Sequence, residues 1–224
     1  MAKSLSRPDF VAAGAAIVAE SGLDALTTRA LGERLGVHST AVYRHFPDWD
    51  GLVLAITDEL VGEAAAAMQP HVAALPTPRD RLAMLARMTR GAVREQPDVA
   101  RMLLTVIAAD TVVPTPNVDR YMRMVTGELR ALGLRGSDIA VGFQAYEGLV
   151  SGTIFADFLG APNHLEHRLV RRRMLGEPEV SAAVADTDEV EALNDAACEV
   201  LLNALLDSLE ARAAAEPQGG PAAS

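Results

Sequence analysis

The chain has 224 residues, half of them hydrophobic but only 4% aromatic, which is enough for one or two domains with buried cores and favours helices over sheets. One cysteine, Cys198, excludes an internal disulfide and gives no sign of an oxidising compartment. The net charge of −10 argues against a nucleic-acid partner for the chain as a whole, but five basic against four acidic side chains leave residues 1–47 at +1 and the rest at −11. An acidic body with a near-neutral head suits a protein that touches polyanions with its head alone. The run FVAAGAAIVA behind Lys3 and Arg7 superficially resembles a secretion signal, yet Pro8 and Asp9 interrupt its start and Glu20 stands where a small-residue cleavage site belongs. No stretch approaches the roughly 18 apolar residues of a membrane span, so no membrane partner and a cytoplasmic location are expected.

In chain order, residues 9–21 read as a first helix with Phe10, Ala13 and Ile17 on one side, stopped by Gly22. Residues 28–35 form a second, capped by Thr27 or equally by Thr28. Gly36 breaks it, and a third short helix starts at His38 or Ser39 and ends before Pro47. Asp48 caps a fourth that runs to about Met68, after which Pro70, Pro76 and Pro78 mark a loop. Helical patterns follow at about 79–95, 98–108, 117–132, 137–159 and 188–212, with a short helix around 164–175. The tail over residues 213–224 has nothing to bury and is expected to be disordered. No strand or internal repeat is visible. The fold class is all-α, with a small N-terminal unit over 1–50 and a larger helical one over 51–212.

The second and third helices are joined by very few residues, and Gly32, Gly36 and Val42 fall four and then six apart. A helix-turn-helix needs a small residue where its second helix crosses the first, a glycine in the turn, and an apolar residue to fill the wedge. An ordinary helical hairpin shares that spacing; the outward face separates the two. A solvated face is rich in Glu and Lys, whereas the third helix exposes Ser39, Thr40, Tyr43, Arg44 and His45 with no acid between Glu33 and Asp48. Hydroxyls, a phenol and a guanidinium without carboxylates suit a phosphate backbone and groove edges.

The segment ALTTRALGERLGVHSTAVYRHFPDWDGLV resembles the DNA-binding segment of the tetracycline-repressor (TetR) family of bacterial regulators. The resemblance rests on the Thr-capped helix, the Gly-Val turn and the Tyr-x-His-Phe ending, and covers roughly residues 8–60. It implies that residues 1–50 are a three-helix helix-turn-helix DNA-binding domain and residues 51–212 a helical domain for effector binding and dimerisation. It further implies that Thr28 and Arg29 meet phosphates, that Ser39, Thr40 and Ala41 read bases, that Tyr43 and His45 grip the backbone, and that Arg44 does either. Ala41 stands in place of a common threonine and offers only apolar contact. Trp49 stands in place of a common lysine, so one phosphate-binding charge is lost and weaker or more salt-sensitive binding is expected.

In the larger half, Ala145, Gly148, Gly152 and Ala156 form a stripe of small residues, and the last helix shows Leu193, Ala197, Val200, Leu201, Ala204, Leu205 and Leu209 on one broad side. Two such helices per subunit would make a four-helix homodimer interface, as in the resembled family; close packing inside one subunit is the alternative. A two-fold dimer reads a near-palindromic operator. Met84, Met88, Met102, Met122 and Met124, with Phe143, Tyr146, Phe155, Phe158, Gln144 and Asp157, suggest an apolar pocket with a few polar anchors, and the family implies a small-molecule effector there. Released from DNA by that effector, such a protein is a homodimeric repressor.

No enzyme is expected, and no cofactor. His164 and His167 lack the partners of a metal site, Cys198 lacks a positioned base, the Arg171–Arg173 run is followed by Glu177 and Glu179, and no phosphate-cradling glycine loop occurs. The rival reading is a small-molecule-binding protein whose DNA-binding head has weakened or decayed, supported by Trp49 and the near-neutral head.

Overall fold

The computed structural model describes residues 5–99, 101–102, 115–160 and 187–215, and among them every regular element is a helix. These are α1 (Arg7–Ser21), α2 (Thr28–Leu35), α3 (Trp49–Ala73), α4 (Pro78–Glu95), α5 (Pro116–Leu132), α6 (Ser137–Gly160) and α7 (Thr187–Ala214), with 3-10 turns at Leu23–Ala25 and Ser39–Arg44. Residues 97–99 and 101–102 are also helical. The helix expected at 164–175, His164, His167, Arg171–Arg173, residues 103–108 and the tail beyond 215 lie outside the described residues. No described helix is long and apolar enough to cross a membrane.

The chain divides into two compact units, one within residues 1–70 and 95–124, the other within 71–94 and 125–224. In the first, α1 begins at Ser6, whose amide donates to the Asp9 carboxylate at 2.7 Å. It ends at Gly22, held at φ +82° with its amide on the Val18 carbonyl. Phe10, Ile17, Leu31, Val42, Phe46, Leu52 and Ile56 close around one core. Five of them are at most 1% exposed besides Phe10 itself, each worth about 1.5–3 kcal/mol of burial. The 97–102 stretch joins that core: Met102 is 1% exposed in it, and the Asp98 carboxylate accepts the Leu23 amide at 2.9 Å. The unit carrying the short helices therefore extends well past residue 50.

Helix α3 corrects one expectation. It does not stop near Met68 but continues through Pro70 to Ala73. Proline removes only its own amide bond, to the Ala66 carbonyl, and it does so in the final turn, where Met68 and Val72 are both buried.

In the second unit, Thr77 caps α4 by accepting the Asp80 amide at 3.0 Å. Leu82 and Leu85 of α4, Val125 and Leu129 of α5, Tyr146 and Val150 of α6 and Leu202, Leu206 and Leu209 of α7 are buried. Helices α6 and α7 approach closely at Gly142, where a Cβ would meet Leu134 at 2.9 Å and Leu209 at 3.2 Å.

Candidate nucleic-acid interface

The short helices are positioned by three local devices. Thr27, rather than Thr28, caps α2, its hydroxyl accepting the Ala30 amide at 3.1 Å. Gly36 follows α2 in the left-handed region at φ +68° and ψ +33°, and the Val37 amide returns to the Gly32 carbonyl at 2.9 Å. Gly32 is the crossing point: a Cβ there would lie 2.7 Å from the Val37 carbonyl oxygen and 3.1 Å from the Ser39 amide. The third helix, Ser39–Arg44, is wound as a 3-10 helix, with i→i+3 bonds from Ala41 to His38 and from His45 to Val42. Val42 and Phe46, each 1% exposed, hold it to the core.

His38, one of the two starts the sequence offered for the third helix, is its cap and also a positioning residue. Its Nδ1 accepts the Thr40 amide at 3.3 Å and lies 2.9 Å from the Thr40 hydroxyl, so the ring both starts the short helix and orients Thr40. Asp48 starts α3 by accepting the Gly51 amide at 2.7 Å, as its place before the apolar run implied.

Of the nine residues expected at DNA, Arg29, Thr40, Tyr43 and Arg44 are exposed, and Tyr43 is 51% so. Thr28, Ser39, Ala41, His45 and Trp49 are half-buried. Ala41 and Trp49 pack against the core of the unit, which explains how a large indole is accommodated beside α3. The His45 ring rests on Phe10 with centroids 5.0 Å apart, and the Arg7 guanidinium lies 4.9 Å above the Phe46 ring. Arg29 pairs with Glu33 at 2.8 Å, but both side chains are largely exposed, so the pair is weak and open to exchange with a phosphate. No carboxylate among the described residues pairs with Arg44. Arg34 is turned away from that surface, bidentate on Glu20 of α1 at 2.8 and 2.7 Å, and this hydrogen bonding holds the Glu20 carboxyl below its ordinary range.

The residues expected at the effector pocket divide between the two units. Met102 and Met122 fall in the first unit, Met102 in its core and Met122 37% exposed. Met124, half-buried, also falls in the first unit; in the second, Met84, Met88 and Phe143 are half-buried, while Gln144 and Phe155 face outward. Tyr146 is fully buried and its hydroxyl donates to the Leu82 carbonyl at 2.9 Å, so it is a satisfied core residue. Asp157 is held by two guanidiniums: Arg90 donates twice at 2.6 Å and Arg94 twice at 2.9 Å. The Phe158 side chain lies outside the described residues. What α4, α6 and α7 do enclose is a cavity of about 200 Å³ lined in part by Ala86, Arg90, Arg94, Thr153, Cys198 and Leu202. Asp195, 2.8 Å from both Arg90 and Arg94, and the Arg87–Glu199 pair at 2.7 Å add to its charges. Desolvation works to raise the Asp195 carboxyl, but the two guanidiniums outweigh it and hold the group below its ordinary range. Burial pushes the Cys198 thiol up. Among the described residues no group of three or more His, Cys, Asp or Glu side chains could hold a metal ion.

The residues proposed for a dimer interface are mostly open. On α6, Ala145, Gly148 and Gly152 are exposed and Ala156 half-buried, and a Cβ at Gly148 or Gly152 would meet nothing within 4 Å. On α7, Ala197 and Ala204 are exposed, Val200 is 68% and Leu201 55% exposed, and Leu205 is half-buried. Leu209 instead faces inward, buried with Leu202 and Leu206, and its side chain approaches Gly142 of α6. The Leu193 side chain lies outside the described residues.

The sequence profile of the bacterial regulatory proteins of the tetR family matches residues 10–56, the segment just described. Tetracycline repressor protein class G of Vibrio anguillarum is 39% identical over 59 residues, which span 26% of this chain and only 28% of that protein's length. A possible TetR family transcriptional regulator of Streptomyces coelicolor A3(2) is 26% identical, with a TM-score of 0.69 over 92% of this chain and all of the other. BioQ, solved with its natural double-stranded DNA operator, is 20% identical and shares the fold at a TM-score of 0.58 over 93% of this chain and 99% of its own. The helix-turn-helix segment thus matches the tetR family of bacterial regulatory proteins, and the helical fold is shared over nine-tenths of the chain with a possible regulator of that family.

Proposed function

We propose that the protein is a homodimeric transcriptional regulator, a repressor that binds a near-palindromic operator through residues 28–45 and leaves it when a partly apolar small molecule binds. The observation that carries the reading is the surface of the Ser39–Arg44 helix. Gly32 and Gly36 bring it across α2, Val42 and Phe46 fix it, and Thr40, Tyr43 and Arg44 stand outward without a paired carboxylate. Phosphates and groove edges are the partners such donors complement. BioQ, of the same fold, was captured on operator DNA.

Dimerisation is supported by the unpartnered outer faces of α6 and α7. Their small and apolar residues form an exposed surface of the kind that a second copy covers. A dimer also supplies the second reading helix that a near-palindrome requires. For the effector, the second unit offers the cavity between α4, α6 and α7, whose wall is partly apolar and partly guanidinium. Helix α3 runs without a break from residue 49 to residue 73, so a change in its orientation would reach the reading helices. Against the decayed-head alternative stands the packing of Trp49 on the core of the unit, which keeps the short helices in place.

Replacing Tyr43 by Ala tests the assignment. The ring is half exposed, so fold and assembly should be retained while operator affinity falls about tenfold, the scale of a lost phosphate or groove contact. Unchanged affinity would place the reading surface elsewhere.

A further inference from the structure

A second cleft lies within the unit that carries the reading helices, distinct from the cavity beside Arg90. It has a volume of about 530 Å³ and is walled by Val11 and Ala12 of α1, Leu54 of α3 and Pro116 at the start of α5, with Asp58, Glu59, Arg7 and Thr115 as its polar groups. The size suits a small organic molecule.

Its chemistry is set by how α5 begins. Thr115 holds the N-cap position, its carbonyl accepting the Asp119 amide at 2.9 Å. An N-cap threonine normally turns its hydroxyl onto the following amides. Here Asp58 of α3 has taken them: its carboxylate accepts the Asn117 and Val118 amides at 3.0 and 3.1 Å, and the Asn117 side chain at 3.3 Å. The Thr115 hydroxyl is left buried, in a residue 8% exposed, with no hydrogen-bond partner. A buried hydroxyl without a partner is costly and uncommon, and its place in a cleft wall points to a ligand that satisfies it.

Charge selects the ligand. The donors on Asp58 are neutral, so they orient the carboxylate without cancelling its charge, and Glu59 beside it is exposed. Neither is ion-paired among the described residues. Arg7, the one cation among the described residues lining the cleft, is drawn over the Phe46 ring. Two carboxylates against one guanidinium leave the cleft negative. We propose that it takes a small organic cation, an ammonium group on an apolar body. The ammonium N–H donates to the Thr115 hydroxyl oxygen and faces Asp58 and Glu59, while Val11, Leu54 and Pro116 take the body. Such a ligand touches α1, α3 and the start of α5 together and stiffens the reading unit itself.

The test titrates the full-length protein calorimetrically with 2-phenylethylammonium and with its neutral and anionic counterparts, 2-phenylethanol and phenylacetate. The ammonium probe should bind saturably and at least about tenfold tighter than the other two, as a charge-assisted contact requires. Thr115→Val should melt no lower than the parent, because it removes an unpartnered hydroxyl, yet should weaken the ammonium probe about fivefold. Ala12→Phe, at an exposed position of α1, should fill the cleft and abolish binding while leaving the melting temperature in place. Equal affinity for the three probes, no saturable binding, or binding indifferent to both substitutions would overturn the proposal. So would a Thr115→Val protein that melts well below the parent, since its hydroxyl would then be partnered. None of these outcomes bears on operator binding, which the Tyr43→Ala comparison reads separately.

Discussion

Replacing Gly32 by Ala perturbs the point on which the reading helix rests. The added methyl would lie 2.7 Å from the Val37 carbonyl oxygen, 3.1 Å from the Ser39 nitrogen and 3.2 Å from the Ser39 Cα. All three are backbone atoms, so no rotamer change relieves the contact, and residues 37–39 must withdraw by roughly 0.5 Å or more to regain ordinary van der Waals separation. Overpacking of this kind costs about 1–3 kcal/mol, against a gain of about 0.5–1 kcal/mol from removing a helical glycine, for a net loss of about 1–2 kcal/mol. Two controls separate the causes. At Gly127, within α5, a Cβ meets nothing within 4 Å, so Gly127→Ala should stabilise by up to about 1 kcal/mol. At Gly36 the space is open but φ is +68°, so Gly36→Ala should cost about 1–2 kcal/mol through backbone strain alone. Urea unfolding at 25 °C ranks the three, and anisotropy on operator DNA should show Gly32→Ala losing at least about tenfold in specific affinity, because the displaced helix no longer matches base edges. If Gly32→Ala were as stable as Gly127→Ala and bound DNA like the parent, the close crossing of the two helices would be refuted.

Asp157 carries four hydrogen bonds from Arg90 and Arg94 and is only 10% exposed, so Asp157→Ala leaves two guanidiniums with Asp195 alone and should cost about 3 kcal/mol in a denaturant titration; a loss under about 1 kcal/mol would mean the cluster is solvent-screened. Glu147 has a buried carboxyl oxygen with no partner, and burial pushes its pKa up. The unfolded chain releases this proton near pH 4.3 and the folded one only at higher pH, so stability should fall as pH rises through that window. Glu147→Met should therefore exceed the parent in stability by more at pH 7 than at pH 4, and a gap independent of pH would argue that the carboxyl is solvated. Gly152→Leu adds a side chain where this chain offers no obstacle, so the helix content should hold while light scattering reports a monomer; an intact dimer would remove the α6 face from the interface.

Most helices were legible because each carries its own start or stop: Thr27, Gly36 and Asp48 all act as their positions in the sequence imply. The outward face of the Ser39–Arg44 helix was legible for the same reason, its pattern being local to residues 28–46. What escaped are features that depend on distant packing. Pro70 looked like an end because the burial of Val72 beyond it is tertiary. Tyr146 looked like a pocket residue because only the fold reveals that its hydroxyl meets Leu82, and Asp157 looked like a free anchor because Arg90 and Arg94 lie more than 60 positions away. Gln144 and Phe155 show the limit of helical periodicity: with small and apolar residues all round α6, the sequence does not say which side faces out. His38 was offered as a helix start, but its hold on the Thr40 hydroxyl escaped because a histidine cap has no fixed spacing signature.

The central claim, that the Ser39–Arg44 helix reads DNA sequence, is tested most directly by selection of the full-length protein on random double-stranded DNA. Anisotropy of the enriched site should then be followed across salt against a scrambled competitor. A near-palindromic motif bound tightly, resisted by competitor and weakening steeply with salt, is the predicted result. Failure of any motif to enrich, with binding equal on scrambled DNA, would contradict it.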